Sequence, residues 1–438
     1  MISRRRFLEV GGLGTGVAAL SPLAAAAAAS DEKSSATLPP SLAQLKSRKN
    51  EATPITREER QQRLERARQL MVENAIDAML LMAGTSLDYF TGIRWWGGER
   101  MFAFVLPVKG SAFYVCPAFE EGRAREQIAN APDGEHPDLC TWQEDESPYH
   151  LLAEGLKERS VGTGRLGVEE TVLFFFADGI AKAAPQLTLT NATPVTAGCR
   201  MIKSPHEIAL MRLAAQVTLT AYEAVYRALH EGMTQQQVEA LIAAAYGQLG
   251  FPGEASVEVD EYTAYPHGSS VPQVIREGSI VMIDDGCTVE GYQSDITRTF
   301  VLGTAPQKTA EKMKEVFDTV HRAQAAALAA ARPGVECGSV DAAARKVITD
   351  AGYGPDYKYF THRLGHGMGM DEHEWPYLVR GNATTLAANM TTSNEPGIYI
   401  RGEFGIRLED DMHVTENGAE LFTLKSQSLE NPFGKGAA

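Results

Sequence analysis

Val281-Met282-Ile283-Asp284-Asp285-Gly286 and, a few residues on, Gly291-Tyr292-Gln293-Ser294-Asp295 read as the two arms of a β-hairpin. If the connecting loop is the pair Val289-Glu290, Asp284 lies directly opposite Asp295. Directly opposed residues project to one face with Cβ atoms about 4.5 to 5.5 Å apart, a spacing that suits carboxylates sharing two metal ions roughly 3.5 to 4 Å apart. Without a cation such a pair repels. The alternative, a polar hairpin facing solvent, fits poorly with Ile283 and Ile296, core-type residues beside the aspartates. Asp285 should face the other way by strand alternation and is excluded as a ligand.

Working outward, a second hairpin supplies two glutamates. Asn394-Glu395-Pro396-Gly397-Ile398-Tyr399-Ile400 enters a turn at 401–405, and Ile406-Arg407-Leu408-Glu409 returns with Arg407 and Glu409 on one face. An arginine beside a ligand carboxylate orients it or receives a substrate's carboxylate. Between the hairpins lies Gly365-His366-Gly367-Met368-Gly369-Met370-Asp371-Glu372-His373-Glu374, whose glycines permit close backbone approach to a metal or substrate. Taken singly, a histidine here is more often structural than a ligand. His362, four before His366, is set aside on that ground, and His362→Ala is expected to be mild. Four carboxylates and one imidazole balance two divalent ions. So hard a set favours manganese, with cobalt or zinc as alternatives, and such a pair generates hydroxide at neutral pH.

The 438 residues, 44% hydrophobic and 22% charged, are enough for about two to three domains. The formal charge of -15 discourages binding to nucleic acid or anionic lipid. Five well-separated cysteines outline neither a disulfide framework nor a zinc ribbon, and read as mostly buried free thiols. Ser3-Arg4-Arg5-Arg6-Phe7-Leu8 resembles a twin-arginine export signal ahead of a Gly-rich and Ala-rich stretch, so residues 1–29 are expected to be a cleaved signal, with an uncleaved anchor as the alternative, and the protein to be periplasmic or secreted. Residues 30–53 read as a linker. No other segment is apolar for long enough to span a bilayer.

From 54 to 198 helical and strand periods alternate, as in an α/β domain with a mixed sheet: a helix at 57–74, strands at 78–82, 101–106 and 112–116, and a helix at 118–128. Its loop 94–100, with Trp95 and Trp96, reads either as core packing or as a wall closing a ligand pocket, within the chain or across a dimer interface. From 199 to 438 the pattern predicts helices at 206–229, 234–249, 308–331 and 340–351 outside a mainly antiparallel sheet, an α+β arrangement.

In order and local context, Asp284, Asp295, His366, Glu395 and Glu409 resemble the five metal ligands of the methionine aminopeptidase, Xaa-Pro aminopeptidase, prolidase and creatinase family. Ser294-Asp295-Ile296-Thr297-Arg298-Thr299-Phe300, Gly365-His366-Gly367-Met368-Gly369 and Glu395-Pro396-Gly397-Ile398-Tyr399 carry the likeness, which spans about 56–423. It implies an α/β creatinase-like N-terminal domain, an α+β pita-bread catalytic domain, a homodimer and two divalent metals. It further implies that Asp284 is a terminal ligand, Asp295 and Glu409 bridge, and His366 and Glu395 hold the second metal. Glu395 would also accept a proton from water. The resemblance makes His267 a substrate-side histidine, His373 the group that stabilises the tetrahedral intermediate, and Arg407 a support for the ligands. The implied activity is hydrolysis of Xaa-Pro dipeptides, with Xaa-Pro aminopeptidase as the first alternative. A same-fold hydrolase of a non-peptide amide or phosphotriester is another, since fold does not fix the leaving group. A non-catalytic binding protein of this fold would be expected to have lost ligands.

Overall fold

A computed structural model describes residues 38–434, so the export signal expected at 1–29 lies outside the described residues. The end of the stretch read as a linker is docked instead. In the short helix Pro40–Ala43, Leu42 is fully buried against the helices Pro205–Tyr226 and Gln235–Leu249, and the Arg48 N–H donates to the Leu249 carbonyl (2.9 Å). Polar composition hides a single anchoring leucine.

The helix Arg57–Glu73 starts at a capping box, in which Thr56 and Glu59 satisfy each other's backbone N–H, and it buries Leu64, Ala67, Leu70 and Met71. The strands that follow are β1 (Ala78–Met82), β2 (Ala103–Pro107), β3 (Phe113–Pro117), β4 (Leu139–Trp142), β5 (Gly164–Val168) and β6 (Leu187–Asn191). They form one mixed sheet in the order β4-β3-β2-β1-β5-β6. β1 is buried along its whole length because alternate residues serve two cores: Met79 and Leu81 face one, Ala78, Leu80 and Met82 the other.

The second half opens with Ser204 and Glu207 capping the helix Pro205–Tyr226, followed by Gln235–Leu249, which ends at left-handed Gly250. Its strands are β7 (Ser256–Val259), β8 (Ile280–Asp284), β9 (Thr288–Val289), β10 (Tyr292–Gln293), β11 (Arg298–Val301), β12 (Gly365–Gly367), β13 (Glu374–Leu378), β14 (Thr391–Asn394), β15 (Gly397–Ile400), β16 (Phe404–Arg407), β17 (Asp410–Val414) and β18 (Ala419–Leu421). All pair antiparallel, with β11-β8-β7 and β13-β12-β14-β17-β18 as the larger sheets. The helices Gln307–Ala330 and Cys337–Asp350 pack together and cover these strands through Phe317, Val320, Val340 and Ile348. This is the pita-bread arrangement behind a creatinase-like domain. Arg63 joins the halves: its Nη2 donates to the Tyr292 hydroxyl (2.7 Å), which donates to Glu207 Oε1 (2.7 Å), all three side chains being buried.

Two local expectations need correction. The first hairpin turns at Glu290-Gly291, one residue later than expected; both have positive φ (50° and 90°), and Val289 faces Tyr292. Two consecutive left-handed residues ending in glycine make the turn whose twist matches the strands. The register carries Ile283 opposite Arg298, so Asp284 aligns with Thr297, and Asp295 is its diagonal neighbour. A slip of two residues keeps the same face, so the carboxylates still converge. The glycines around His366 also have another cause. A Cβ at Gly365 would strike the Ser393 carbonyl and one at Gly367 the Trp375 carbonyl, so neighbouring strands, rather than a metal or substrate, require them. All five cysteines are free, and four are buried. Among the described residues no helix is long and apolar enough to cross a membrane.

Candidate active site

The two hairpins and β12 converge on a cavity of about 610 Å³. Asp284 comes from the end of β8, His366 from β12, Glu395 from the turn after β14 and Glu409 from between β16 and β17; Asp295 precedes β11. Their ligand atoms form overlapping sets within 4.8 Å: Asp284, Asp295 and Glu409; His366, Glu395 and Glu409; and Asp295, His366 and His373. Asp295, Glu409 and His366 each belong to two sets, and of these only the two carboxylates have the second donor oxygen that bridging two ions needs.

The supports are specific. His366 Nδ1 donates to the Gly367 carbonyl (3.2 Å), so in the neutral ring the lone pair is on Nε2, 3.3 Å from Glu395 Oε1 and 3.5 Å from Asp295 Oδ2. The Thr297 hydroxyl lies between the Asp284 carboxylate and Glu409 Oε2 (2.7 Å) and accepts from Arg407 Nε (2.8 Å). Arg407 also pairs with Asp284. Fully buried Arg298 donates to the Glu409 carbonyl (2.8 Å) and to Asp410 (2.6 Å), and the Asp295 N–H reaches Asp411 Oδ1 (3.2 Å). Glu409 Oε1 is buried with no hydrogen-bond partner among the described residues.

Burial and crowding act on the charges. Burial pushes Glu395 up to about 7, and burial with Asp284 beside it holds Asp295 well above the carboxylate range. Glu409 is raised by burial and by Asp295. Burial works hardest against ionised Asp284, but Arg407 together with hydrogen bonds from Thr297, the Asp285 backbone and Glu409 outweighs it, and the net shift is downward. Converging lone pairs, an orphaned carboxylate oxygen and mutually destabilised anions fit divalent cations, and the hard donors suit manganese, cobalt or zinc.

Asp285 does line the cavity, contrary to expectation, because its own φ of 85° breaks strand alternation. Its Oδ2 accepts from the Ser256 N–H (2.7 Å), and it belongs to none of the donor sets. His267 lies on the cavity wall. His373 stacks on His366 with ring centroids 3.7 Å apart, and burial pushes its pKa down to about 4. Arg363 Nη2 lies 3.1 Å from His373 Nδ1; a guanidinium only donates, so Nδ1 accepts and Nε2 carries the proton.

Sequence reasoning missed His362, Arg363, Tyr399 and Thr297. Thr297 was legible as the residue two after Asp295, on the same strand face. His362 is no bystander: its Nε2 accepts from the Tyr399 hydroxyl (2.8 Å), which takes a hydrogen bond from Arg407 (3.1 Å), and its Nδ1 donates to the Arg363 carbonyl (2.8 Å) while lying 3.5 Å from Glu395 Oε2. Burial drives it to about pKa 3, so it is neutral. His362→Ala is therefore expected to lower kcat/KM by about tenfold to a hundredfold, as loss of a partner supporting a metal ligand does. Steady-state kinetics with metal analysis checks this, and near-normal turnover would restore the mild reading. The loop 94–100 does not line this cavity: Trp95 stacks on Phe102 (4.0 Å), and Arg94 and Arg100 pair with Asp88 and Glu144 (both 2.8 Å).

A pita-bread sheet carrying two linked sets of carboxylate and imidazole donors defines a two-metal hydrolase. Residues 209–416 match metallopeptidase family M24, and residues 63–202 match the creatinase/prolidase N-terminal domain. A Xaa-Pro dipeptidase of Lactobacillus delbrueckii subsp. lactis is 32% identical over 84% of this chain and 98% of its own. Crystal structures of dipeptidase PepE from Mycobacterium ulcerans (TM-score 0.79, 32% identity, 86% of this chain and 99% of that one) and of a dipeptidase from Pyrococcus horikoshii (TM-score 0.75, 32% identity, 84% and 99%) share the fold. The chain belongs to metallopeptidase family M24.

Proposed function

We propose that this protein is a two-metal Xaa-Pro dipeptidase. Asp284, Asp295, His366, Glu395 and Glu409 would hold the ions, with manganese favoured over cobalt or zinc. When bound, such ions polarise a carbonyl and make hydroxide available at neutral pH. Glu395 takes the proton of the attacking water. His373 Nε2–H donates to the oxygen of the carbonyl before proline as negative charge grows there. His267 contacts the substrate, and Arg407 holds Asp284 against the repulsion of its neighbours.

The choice of dipeptides rests on Arg363. It is a guanidinium on the cavity wall, stacked over the Tyr377 ring at 4.3 Å and touching His373, and it has no carboxylate partner among the described residues. In a dipeptide the free carboxylate lies one residue, about 3.6 Å, beyond the scissile carbonyl. Arg363 is one imidazole away from His366, in reach of that group. Arg363→Gln is expected to lower the ratio of kcat/KM for Xaa-Pro dipeptides over Xaa-Pro amides about tenfold to a hundredfold, the worth of a charged hydrogen bond. Equal losses on both substrates would remove Arg363 from carboxylate binding, and faster wild-type cleavage of Xaa-Pro tripeptides would move the protein to the aminopeptidases.

The reading includes twin-arginine export, supported by Ser3-Arg4-Arg5-Arg6-Phe7-Leu8 and checked by the N-terminus of protein recovered from the periplasm or medium. It also includes a homodimer. The exposed rings of Trp96 and Phe119 supply an apolar surface for a partner chain, and sedimentation velocity tests it.

A further inference from the structure

Between β12 and β13, the turn at 369–374 carries Glu372 and His373 to the cavity, and charges from outside these strands hold both of its flanks. Arg200, the last residue of the helix Thr193–Arg200, donates through Nη2 to Asp371 Oδ2 (2.6 Å) and to Glu374 Oε2. Lys203 Nζ donates to the other Glu374 oxygen (2.6 Å), and the Thr85 hydroxyl of the N-terminal half donates to Asp371. Lys203 and Glu374 are buried and Arg200 nearly so, which separates these pairs from weak surface bridges. The buried Nε of Arg200 has no partner among the described residues, so the two carboxylates on Nη2, with a long bond from Nη1 to the Ser86 hydroxyl (3.4 Å), aim the guanidinium. Behind the turn, on the side away from the donor sets, lies a second cavity of about 320 Å³ bounded by Thr85, Glu169, Arg200, His373 and Tyr377. On that side His373 borders a cavity, and the Arg200 bridges hold its flanking residues Asp371 and Glu374.

We infer that Arg200 is a positioning residue, through which the N-terminal domain, whose match runs on to residue 202, keeps His373 on the side of the reacting carbonyl. This rests on the reading of His373 as the donor to that carbonyl. In full-length, metal-loaded protein, Arg200→Met is expected to lower kcat about tenfold to a hundredfold, the cost of a small misplacement of a reacting group, with KM nearly constant and metal content equal to wild type. Amide exchange across 369–374 should accelerate. In a His373→Ala background the same change should cost at most about twofold more, because residues acting through one another are not additive. Asp371 is partly exposed, so Asp371→Asn supplies a second variant that folds; it should show a smaller kcat loss in the same direction, about threefold or more, and the same non-additivity.

Folded Arg200→Met with normal kcat and only a lower Tm, or losses that add to those of His373→Ala, overturns the inference. Should Arg200→Met fail to fold, normal kcat in Asp371→Asn overturns it. Near-normal kcat in His373→Ala alone would instead overturn the donor reading, and this inference with it.

Discussion

Asp295→Asn and Glu409→Gln are each expected to abolish turnover and to empty both metal positions together. Glu409 joins the set of Asp284 and Asp295 to the set of His366 and Glu395, and Asp295 Oδ2 lies 3.5 Å from His366 Nε2, so neutralising either weakens two sites at once. Each substitution keeps the shape of the side chain while removing a negative charge and an acceptor. Metal analysis of wild type should approach about two ions per chain, as a paired-metal hydrolase requires, and fall well below that in both variants. Asp285→Asn is the internal control: it changes the cavity wall outside the donor sets and should keep the wild-type metal content. Full activity in protein shown to contain no metal would refute the two-metal mechanism altogether.

His373→Ala should lower kcat by about a hundredfold to a thousandfold, the loss of roughly 3 to 4 kcal/mol that follows removal of a donor aimed at developing charge. KM and metal content should change little. The contact from Arg363 makes Nδ1 the acceptor and leaves the proton on Nε2, the state a carbonyl donor needs. A rival is visible in the same geometry, because His373 also shares a donor set with Asp295 and His366. Loss of one ion in the variant would make His373 a ligand. A lower thermal midpoint with near-normal kcat would make it packing for the turn. Measuring kinetics, metal stoichiometry and Tm on one preparation separates the three.

Much of the fold was legible because local periodicity reports local structure. The helices Arg57–Glu73, Pro205–Tyr226, Gln235–Leu249, Gln307–Ala330 and Cys337–Asp350 lie within a few residues of their predicted spans, and the apolar run at 78–82 is a strand. The helices Pro148–Glu158 and Phe174–Ala183 went unread. The turn at Glu290-Gly291 was read one residue early because hydrophobic alternation fixes which face a residue takes but tolerates a slip of two along the partner strand. Asp285 escaped that alternation through its own backbone angle.

The sequence by itself put forward the donors: strand parity sends Asp284 and Asp295 to one face under a slip of two residues, and the resemblance of the His366, Glu395 and Glu409 contexts to a family's motifs supplied the rest. It could not determine how those donors are held and aimed. The lone pair of His366 and the proton of His373 depend on which carbonyl or guanidinium lies against each ring. The engagement of His362 depends on Tyr399 from another hairpin, and the grip on the His373 turn comes from Arg200, 171 residues away from Asp371 in the chain. Such contacts leave no period or spacing to read. They arise where elements cross, and only the packing of the two domains decides which side chains meet there.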